Sequence, residues 1–405
     1  EYNIAPEAVL GWLRTVLCDD RPKVGANLYY DLGWLRAEGV DVRGKQYDVQ
    51  YAEALLNSEA PNVDLESLGA KYLGRGKDSP ELYQWLADYY GGAVNGKQRA
   101  NIYRAPPRLV GPYAMSDADL PLHILTQQWA ALDAWGLLPL FETECALLPL
   151  LVRMRERGVQ VDMNYTQALH DELAADVERL DDELQRLVGF EVNVNAGASL
   201  AKAFDHLSVS YPLTDSCNRG FTKDFLEHHA HPLPALVLAR RQHEKIRGTF
   251  LESYILDAAV DRNGTYTVHG EFHPLKGDGY GARSGRFASR NPNLQNIPTR
   301  SELGKRVRAA FIASHRWRKF DYSQIEDRML AHHAVGACAE EIRRRYNTDP
   351  KTDYHLATQT LVRELVGMDI DRPKIKNVNF GFIYGMSIPT LARLLGRTAS
   401  EARAL

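Results

Sequence analysis

Asp321-Tyr-Ser-Gln-Ile-Glu326, followed further along by Arg372, Lys376, Phe380 and Tyr384 at four-residue steps, is the stretch from which this chain is read. The first piece puts a carboxylate, Asp321, at the end of Trp317-Arg-Lys-Phe-Asp321, which reads as a strand. The second puts two cations and two aromatics along one side of a helix, because residues four apart drift only slightly around its axis. That stripe is about 18 Å long, enough to cover a triphosphate at one end and a base at the other. Pro373 suits the first helical position, so Arg372 is expected at the N-cap, with free amides and the positive dipole end facing phosphates. Lys376 is a candidate general acid for a departing pyrophosphate. Gly381 and Gly385 each cost about 1 kcal/mol in a helix interior, which points to something approaching the backbone closely. The same spacing also fits a helix with a cationic surface edge and buried aromatics.

Phosphoryl transfer to a 3′-hydroxyl needs hard oxygen ligands for magnesium, and Asp321 is placed to be one of them. Carboxylates at strand ends are common, so Asp321 alone is a weak sign. Ser323-Gln-Ile-Glu326 matches a helix capping box, and the spacing favours that role for Glu326, although a second role can coexist with it. Between Arg283 and Arg308 lie seven cations against one acid, Glu302. They are interleaved with Asn291, Asn293, Gln295 and Asn296. Amides read minor-groove acceptors and arginines bind phosphates, so the loop suits a protein tracking duplex geometry. A solvated charged face is the competing explanation.

The chain of 405 residues is long enough for more than one domain. Its 44% hydrophobic and 25% charged content describes an ordinary globular protein. A net charge of −3 means that any nucleic-acid surface must be local. Cys18, Cys145, Cys217 and Cys338 are scattered without metal-type spacing, which fits a reducing, cytoplasmic setting. No run reads as a membrane span or a secretory signal, so no membrane partner is expected.

Residues 1–130 alternate short apolar runs with helical patterns, with a strand at Val24 to Leu28 and a helix from Asp31 to Ala37. Residues 60–112 read as helices joined by loops, and helices dominate 139–188. There Leu169, Leu173, Val177, Leu180, Leu184 and Leu187 make an amphipathic stripe. Residues 189–232 read as irregular and 233–258 as helical, carrying Arg240, Arg241, Lys245 and Arg247. Residues 264–275 alternate as a strand pair, Gly277 to Pro298 as a loop, Ser323 to Ala334 as a helix, and 353–405 as mostly helical.

Taken together, Ser284-Gly-Arg286-Phe-Ala-Ser289, Asn291-Pro-Asn-Leu-Gln-Asn-Ile-Pro298 with Arg300, Asp321 to Glu326 with Arg328, and Arg372-x3-Lys376-x2-Asn379-Phe-Gly-x2-Tyr384-Gly385 resemble family A (polymerase I-type) DNA polymerases. Three long motifs in this order are highly specific. The resemblance implies an α/β and α+β multidomain fold: a partial RNase H-like exonuclease domain at 1–130, then a right-hand polymerase. Its domain would start at 131–165, with thumb at 166–260, palm at 261–335 and incomplete fingers at 336–405. The implied roles follow position by position. Asp321 would ligate the catalytic metals, Mg2+ with two ions per active site or Mn2+ in their place. Glu326 would exclude a ribose 2′-hydroxyl, Arg372 and Lys376 would grip the dNTP triphosphate with His355 near it, Phe380 would pack on the sugar and base, and Tyr384 would stack at the templating position. A Phe at 380 implies discrimination against dideoxynucleotides. Arg286, Gln295, Asn296 and Arg300 would follow the minor groove of primer–template DNA, and Lys245 and Arg247 would touch its phosphates.

Upstream, Lys23-Val-Gly-Ala-Asn27-Leu-Tyr-Tyr-Asp31 and Tyr113-Ala-Met-Ser-Asp117 resemble two motifs of the 3′–5′ proofreading exonuclease. Asp31 and Asp117 would bind metal, and Tyr113 would orient the attacking water. Ala282, Ser284 and Asp327 depart from the family's usual residues, Asp327 standing where a Leu is usual. The exonuclease's Asp-x-Glu is not in residues 1–30, and the polymerase's His-Asp-Glu would follow Leu405. The expectation is therefore a chain that lacks part of both active sites and is inactive by itself. Alternatives are one half of a split polymerase completed by a second polypeptide, a non-catalytic DNA-binding remnant, or mainly a 3′–5′ exonuclease. Replication accessory proteins are further expected partners. A bacterial and a phage source both fit.

Overall fold

The computed structural model describes residues 4–77, 80–213, 219–275 and 281–404 of the chain. Cys217 and the start of the loop expected from Gly277 lie outside them. The chain divides into two compact units, Glu1–His315 and Arg316–Leu405.

In the first unit, strand Lys23–Gly25 pairs in parallel with Gln46–Asp48, placing Gly25 opposite Asp48. The strand ends earlier than its apolar run suggests. Asn27 takes a left-handed conformation, φ 59°, and turns the chain so that Leu28 already opens a helix, Leu28–Ala37. Asp48 holds this turn. It is fully buried, accepts 2.8 Å bonds from the Gln50 and Leu28 amides, and so caps helix Val49–Leu56 while fixing the next turn. The long helices Pro107–Ala134 and Leu138–Arg157 cover the pair, burying Leu120, Ile124, Leu132, Phe141 and Leu148 in one core.

Helix Met163–Val188 buries Leu169, Leu173, Val177, Leu180 and Leu184 of the expected stripe, while Leu187 is half-buried and Val188 takes the inward position; Asp162 caps its start on the Tyr165 amide and Gly189 ends it at φ 86°. Residues 189–232 are more regular than expected: they contain helices Gly197–His206 and Lys223–His228. Their apolar faces are too short to give a convincing period. Packing supplies the stability instead, around Phe204, whose ring meets those of Phe221, Tyr211 and Phe225 at centroid distances of 4.9, 5.9 and 6.1 Å. Phe204→Ala is expected to destabilise this cluster by roughly 3–5 kcal/mol. Amide exchange of its core helices should show this, and a loss under about 1 kcal/mol would contradict the packing account. Helix Pro232–Glu244 then runs into a wider π-helical stretch, Lys245–Leu256.

A four-stranded antiparallel sheet follows the order Ala259–Arg262, Thr265–Val268, Val159–Val161, Phe311–Ile312. Val159–Val161 interrupts the expected helical region. The strands within 264–275 do not pair with each other; Glu271–His273 pairs with Ala288–Arg290 instead. The break lies at His269 and Gly270. The His269 ring reaches the Arg155 carbonyl at 2.7 Å, and a side chain at Gly270 would collide with Leu294.

The second unit is helical: Ile325–His333, Ala337–Thr348, Tyr354–Val366, Arg372–Ile383, Ile388–Leu395 and Ala399–Ala404. The strand expected at Trp317 to Asp321 is not formed. Residues 316–322 are irregular, and Phe320 and Tyr322 are 87% and 83% exposed. A strand needs a neighbour for its amides and carbonyls, and the described residues offer this segment none. No helix among the described residues is long and apolar enough to cross a membrane.

Candidate functional site

In the second unit, helix Arg372–Ile383 buries Ile375, Val378 and Asn379 and turns Arg372 and Lys376 outward, with Phe380 half-buried and Tyr384 exposed just past its end. The four-residue stripe is therefore the outer face of an amphipathic helix. Arg372 is not the N-cap; Asp371 is. Pro373 has no amide hydrogen, and the Lys374 and Ile375 amides both donate to the Asp371 carbonyl at 3.0 Å. An anion at this end would then meet side chains more than free helix amides. Of the two cations, Arg372 is held by Asp353, Nη2 to Oδ2 at 2.5 Å. Burial pushes the Asp353 carboxyl up, but the Leu356 amide and the Arg372 guanidinium outweigh it and hold it below the usual carboxylate range. Lys376 has no ion-pair partner among the described residues, and its Nζ lies 5.6 Å from the centre of the Phe380 ring.

The two glycines have an internal explanation. Gly385, φ 75°, closes the helix as its C′ residue, with the Met386 amide returning to the Gly381 carbonyl. A side chain on Gly381 would strike Met386, so this chain's own methionine makes the close approach.

The capping box is also not formed. Gln324, not Ser323, precedes the helix, in a left-handed conformation with φ 51° and no side-chain cap bond. Its amide is used elsewhere, donating to the Thr352 carbonyl and accepting from the Tyr354 amide, both at 2.9 Å. Glu326 is thereby released from the cap and accepts the Tyr384 hydroxyl at 2.9 Å, which joins the two quoted stretches of sequence. Asp321 is exposed in the irregular segment. His355, expected near the phosphates, is 3% exposed and lies inward, between Asp327 and Asn379. Neither partner's role was legible from spacing: Asn379 falls inside a quoted motif, and Asp327 is a departure from it.

In the first unit, Asn27, Asp31, Tyr113 and Asp117 line one cavity of ≈ 870 Å³. Asp31 is pushed up to about 6, first by burial and then by the charge of Asp117. Two crowded carboxylates are a donor set that a divalent cation would suit, although no three His, Cys, Asp or Glu side chains converge among the described residues. Tyr113 is raised by burial and by Asp117. Sequence reasoning missed Lys77, which meets Asp117 Oδ1 at 2.8 Å, and Tyr83 and Arg99 on the cavity wall. They come from segments without a motif.

The basic loop is less free than its composition suggests. Arg283, Arg290, Lys305 and Arg306 are held by Glu59, Glu271, Glu302 and Glu172. Arg286, Gln295, Asn296 and Arg300 are all exposed. On the π-helical stretch, Arg247 is tied to Glu244, Nη2 to Oε1 at 2.9 Å, whereas Lys245 is exposed without an ion-pair partner among the described residues.

The sequence model described as DNA polymerase family A matches residues 163–405. The chain is 31% identical to a DNA-directed DNA polymerase of Pseudomonas phage M6, across 97% of this chain and 61% of that protein. It is 30% identical to DNA polymerase I of Pseudomonas aeruginosa, across 98% and 43%. DNA polymerase DpoZ of Acinetobacter phage SH-Ab 15497 is 29% identical, across 95% and 64%. The chain thus spans less than two thirds of these relatives. In fold it is similar to the POL domain of Pol1 from M. smegmatis, solved in complex with DNA primer-template and dNTP. The TM-score is 0.74 at 24% identity, covering 99% of this chain and 65% of that one.

Proposed function

Because the chain belongs to DNA polymerase family A, we propose that the protein carrying it is a DNA-directed DNA polymerase, adding dNTPs to a primer 3′ end and proofreading through a 3′–5′ exonuclease centre. The observation that carries this reading is the outward stripe of Arg372, Lys376, Phe380 and Tyr384, with Glu326 fastened to the Tyr384 hydroxyl. Lys376 offers an uncommitted charge to the triphosphate and a proton to the departing pyrophosphate. Arg372 reaches the same anion by exchanging Asp353 for it. Phe380 supplies an apolar wall for sugar and base, and Tyr384 a ring on which a base stacks. Glu326, fixed by its hydrogen bond, stands as a barrier to a 2′-hydroxyl. Asp321 supplies a hard oxygen ligand. Magnesium, when bound, supplies the positive charge that activates the primer hydroxyl and neutralises the leaving group. Arg286, Gln295, Asn296 and Arg300 would track the minor groove of the primer–template, and Lys245 its backbone. Arg247, spent on Glu244, contributes less.

The cavity with Asn27, Asp31, Tyr113 and Asp117 favours the exonuclease as a second activity of the same protein. Asp31 and Asp117 would hold metal there, and Tyr113 would orient water. Residues 1–130 would then be exonuclease, 166–260 thumb, 261–335 palm and 336–405 fingers, acting in the cytoplasm of a bacterium or an infected host. Primer extension with dNTPs and with rNTPs tests the proposal. The intact protein should extend with dNTPs and reject rNTPs, and Glu326→Ala should relax that rejection by roughly 10²-fold. No extension by the intact protein would sink the polymerase reading. Unchanged rejection in the variant would sink the gate.

A further inference from the structure

Asp327 is 2% exposed, and neither of its carboxylate oxygens has a hydrogen-bond partner among the described residues. Such a group is expensive to bury, and an apolar side chain of similar size would fill the position without that penalty. What faces it is His355, 3% exposed, with Nε2 3.5 Å from Asp327 Oδ2. On the other side of the ring, Asn379 Nδ2 lies 3.0 Å from His355 Nδ1 and donates to Thr358 Oγ1 at 3.2 Å. With the amide nitrogen turned toward the ring, Nδ1 is placed to accept from Asn379, which leaves Nε2 facing the carboxylate. The ring edge of His355 meets Phe380 at a centroid distance of 5.7 Å and an interplanar angle of 64°. Three helices are thus tied through one imidazole. Asn379 follows Lys376 by three positions and immediately precedes Phe380, so it sits within the nucleotide-facing helix.

Resting on the polymerase reading above, we propose that Asp327 is a positioning residue for the incoming nucleotide. It orients His355, which through Asn379 and the edge contact with Phe380 sets the rotation of helix Arg372–Ile383 and hence where Lys376 and Phe380 point. The charged and titratable groups around Asp327 fit this role. Burial raises its carboxyl; His355 and Lys376 draw it down, and Glu326 and Asp353 push it up. Tyr346 also feels its charge. The buried acid thus lies within electrostatic reach of Glu326, Lys376 and Asp353.

The test uses the intact protein with Asp327→Leu, Asp327→Asn, His355→Phe and the Asp327→Leu/His355→Phe double variant. Asp327→Leu should raise KM for dNTP roughly tenfold, with kcat changed less and primer–template Kd unchanged. Asp327→Asn, which keeps an acceptor for Nε2–H, should return KM to within about threefold of wild type. The double variant should be no worse than the more impaired single one. An unchanged KM in Asp327→Leu, an Asn variant as impaired as the Leu variant, or additive effects would overturn the proposal. Amide exchange across residues 372–383, without DNA or nucleotide, separates this from the polymerase reading. Faster exchange in Asp327→Leu supports the positioning role, and unchanged exchange overturns it. If the wild-type protein inserts no nucleotide, the polymerase reading is what fails.

Discussion

Asp321→Ala is expected to remove primer extension, by at least roughly 10³-fold, while leaving primer–template affinity within about threefold. The reason for so clean a separation is local. Asp321 is exposed, lies in an irregular segment, and holds no helix cap or buried ion pair among the described residues. Its loss therefore removes no packing and strands no partner, unlike the loss of a buried acid. What would disappear is one hard, negatively charged oxygen ligand. Single-turnover extension, paired with a fluorescence titration of labelled primer–template, measures both quantities. Extension within tenfold of wild type would remove Asp321 from the catalytic set. Lost DNA affinity would make it a structural residue.

Lys376→Ala should lower kcat/KM for nucleotide insertion by about 10²–10³-fold. Arg372 is expected to matter less, since it must first leave Asp353, an ion pair that the structure already satisfies. Lys376 has no ion-pair partner among the described residues, so its charge would be the more available to a triphosphate and a leaving pyrophosphate. Lys376→Arg retains charge but is a poorer proton donor, and should recover KM more than kcat. A Lys376→Ala enzyme within threefold of wild type, or an Arg variant that recovers kcat and KM alike, would deny it the proton-donor role.

Much of the helical architecture was legible because it depends on short-range regularity. The leucine stripe of 163–188 and the amphipathic face of 372–383 are visible as three- and four-residue periods, and these helices form where the periods place them. Where the expectation failed, a longer-range demand decided. Trp317 to Asp321 has the composition of a strand but no pairing neighbour among the described residues. Residues 189–232 lack a convincing period, yet two short helices form there because Phe204 gives them a common core. Strand Glu271–His273 leaves its sequence neighbour because strand pairing breaks at His269 and Gly270.

The family was legible in the amino-acid order, and the common face of Arg372, Lys376 and Tyr384 was legible because a four-residue step on a helix is a local geometric rule. Asn27, Asp31, Tyr113 and Asp117 were also singled out there, and the first unit gathers them around one cavity. How these side chains are held was settled by the fold. Gln324 turns left-handed to serve Thr352 and Tyr354, so Glu326 leaves its cap and meets Tyr384. Asp353 occupies Arg372 and leaves Lys376 as the available cation. Asp327, which stands where a Leu is usual in the family, is a buried acid facing His355. Each of these is a choice among polar neighbours. Local sequence offers several such partners, and burial, by making an unmet polar group costly, selects among them.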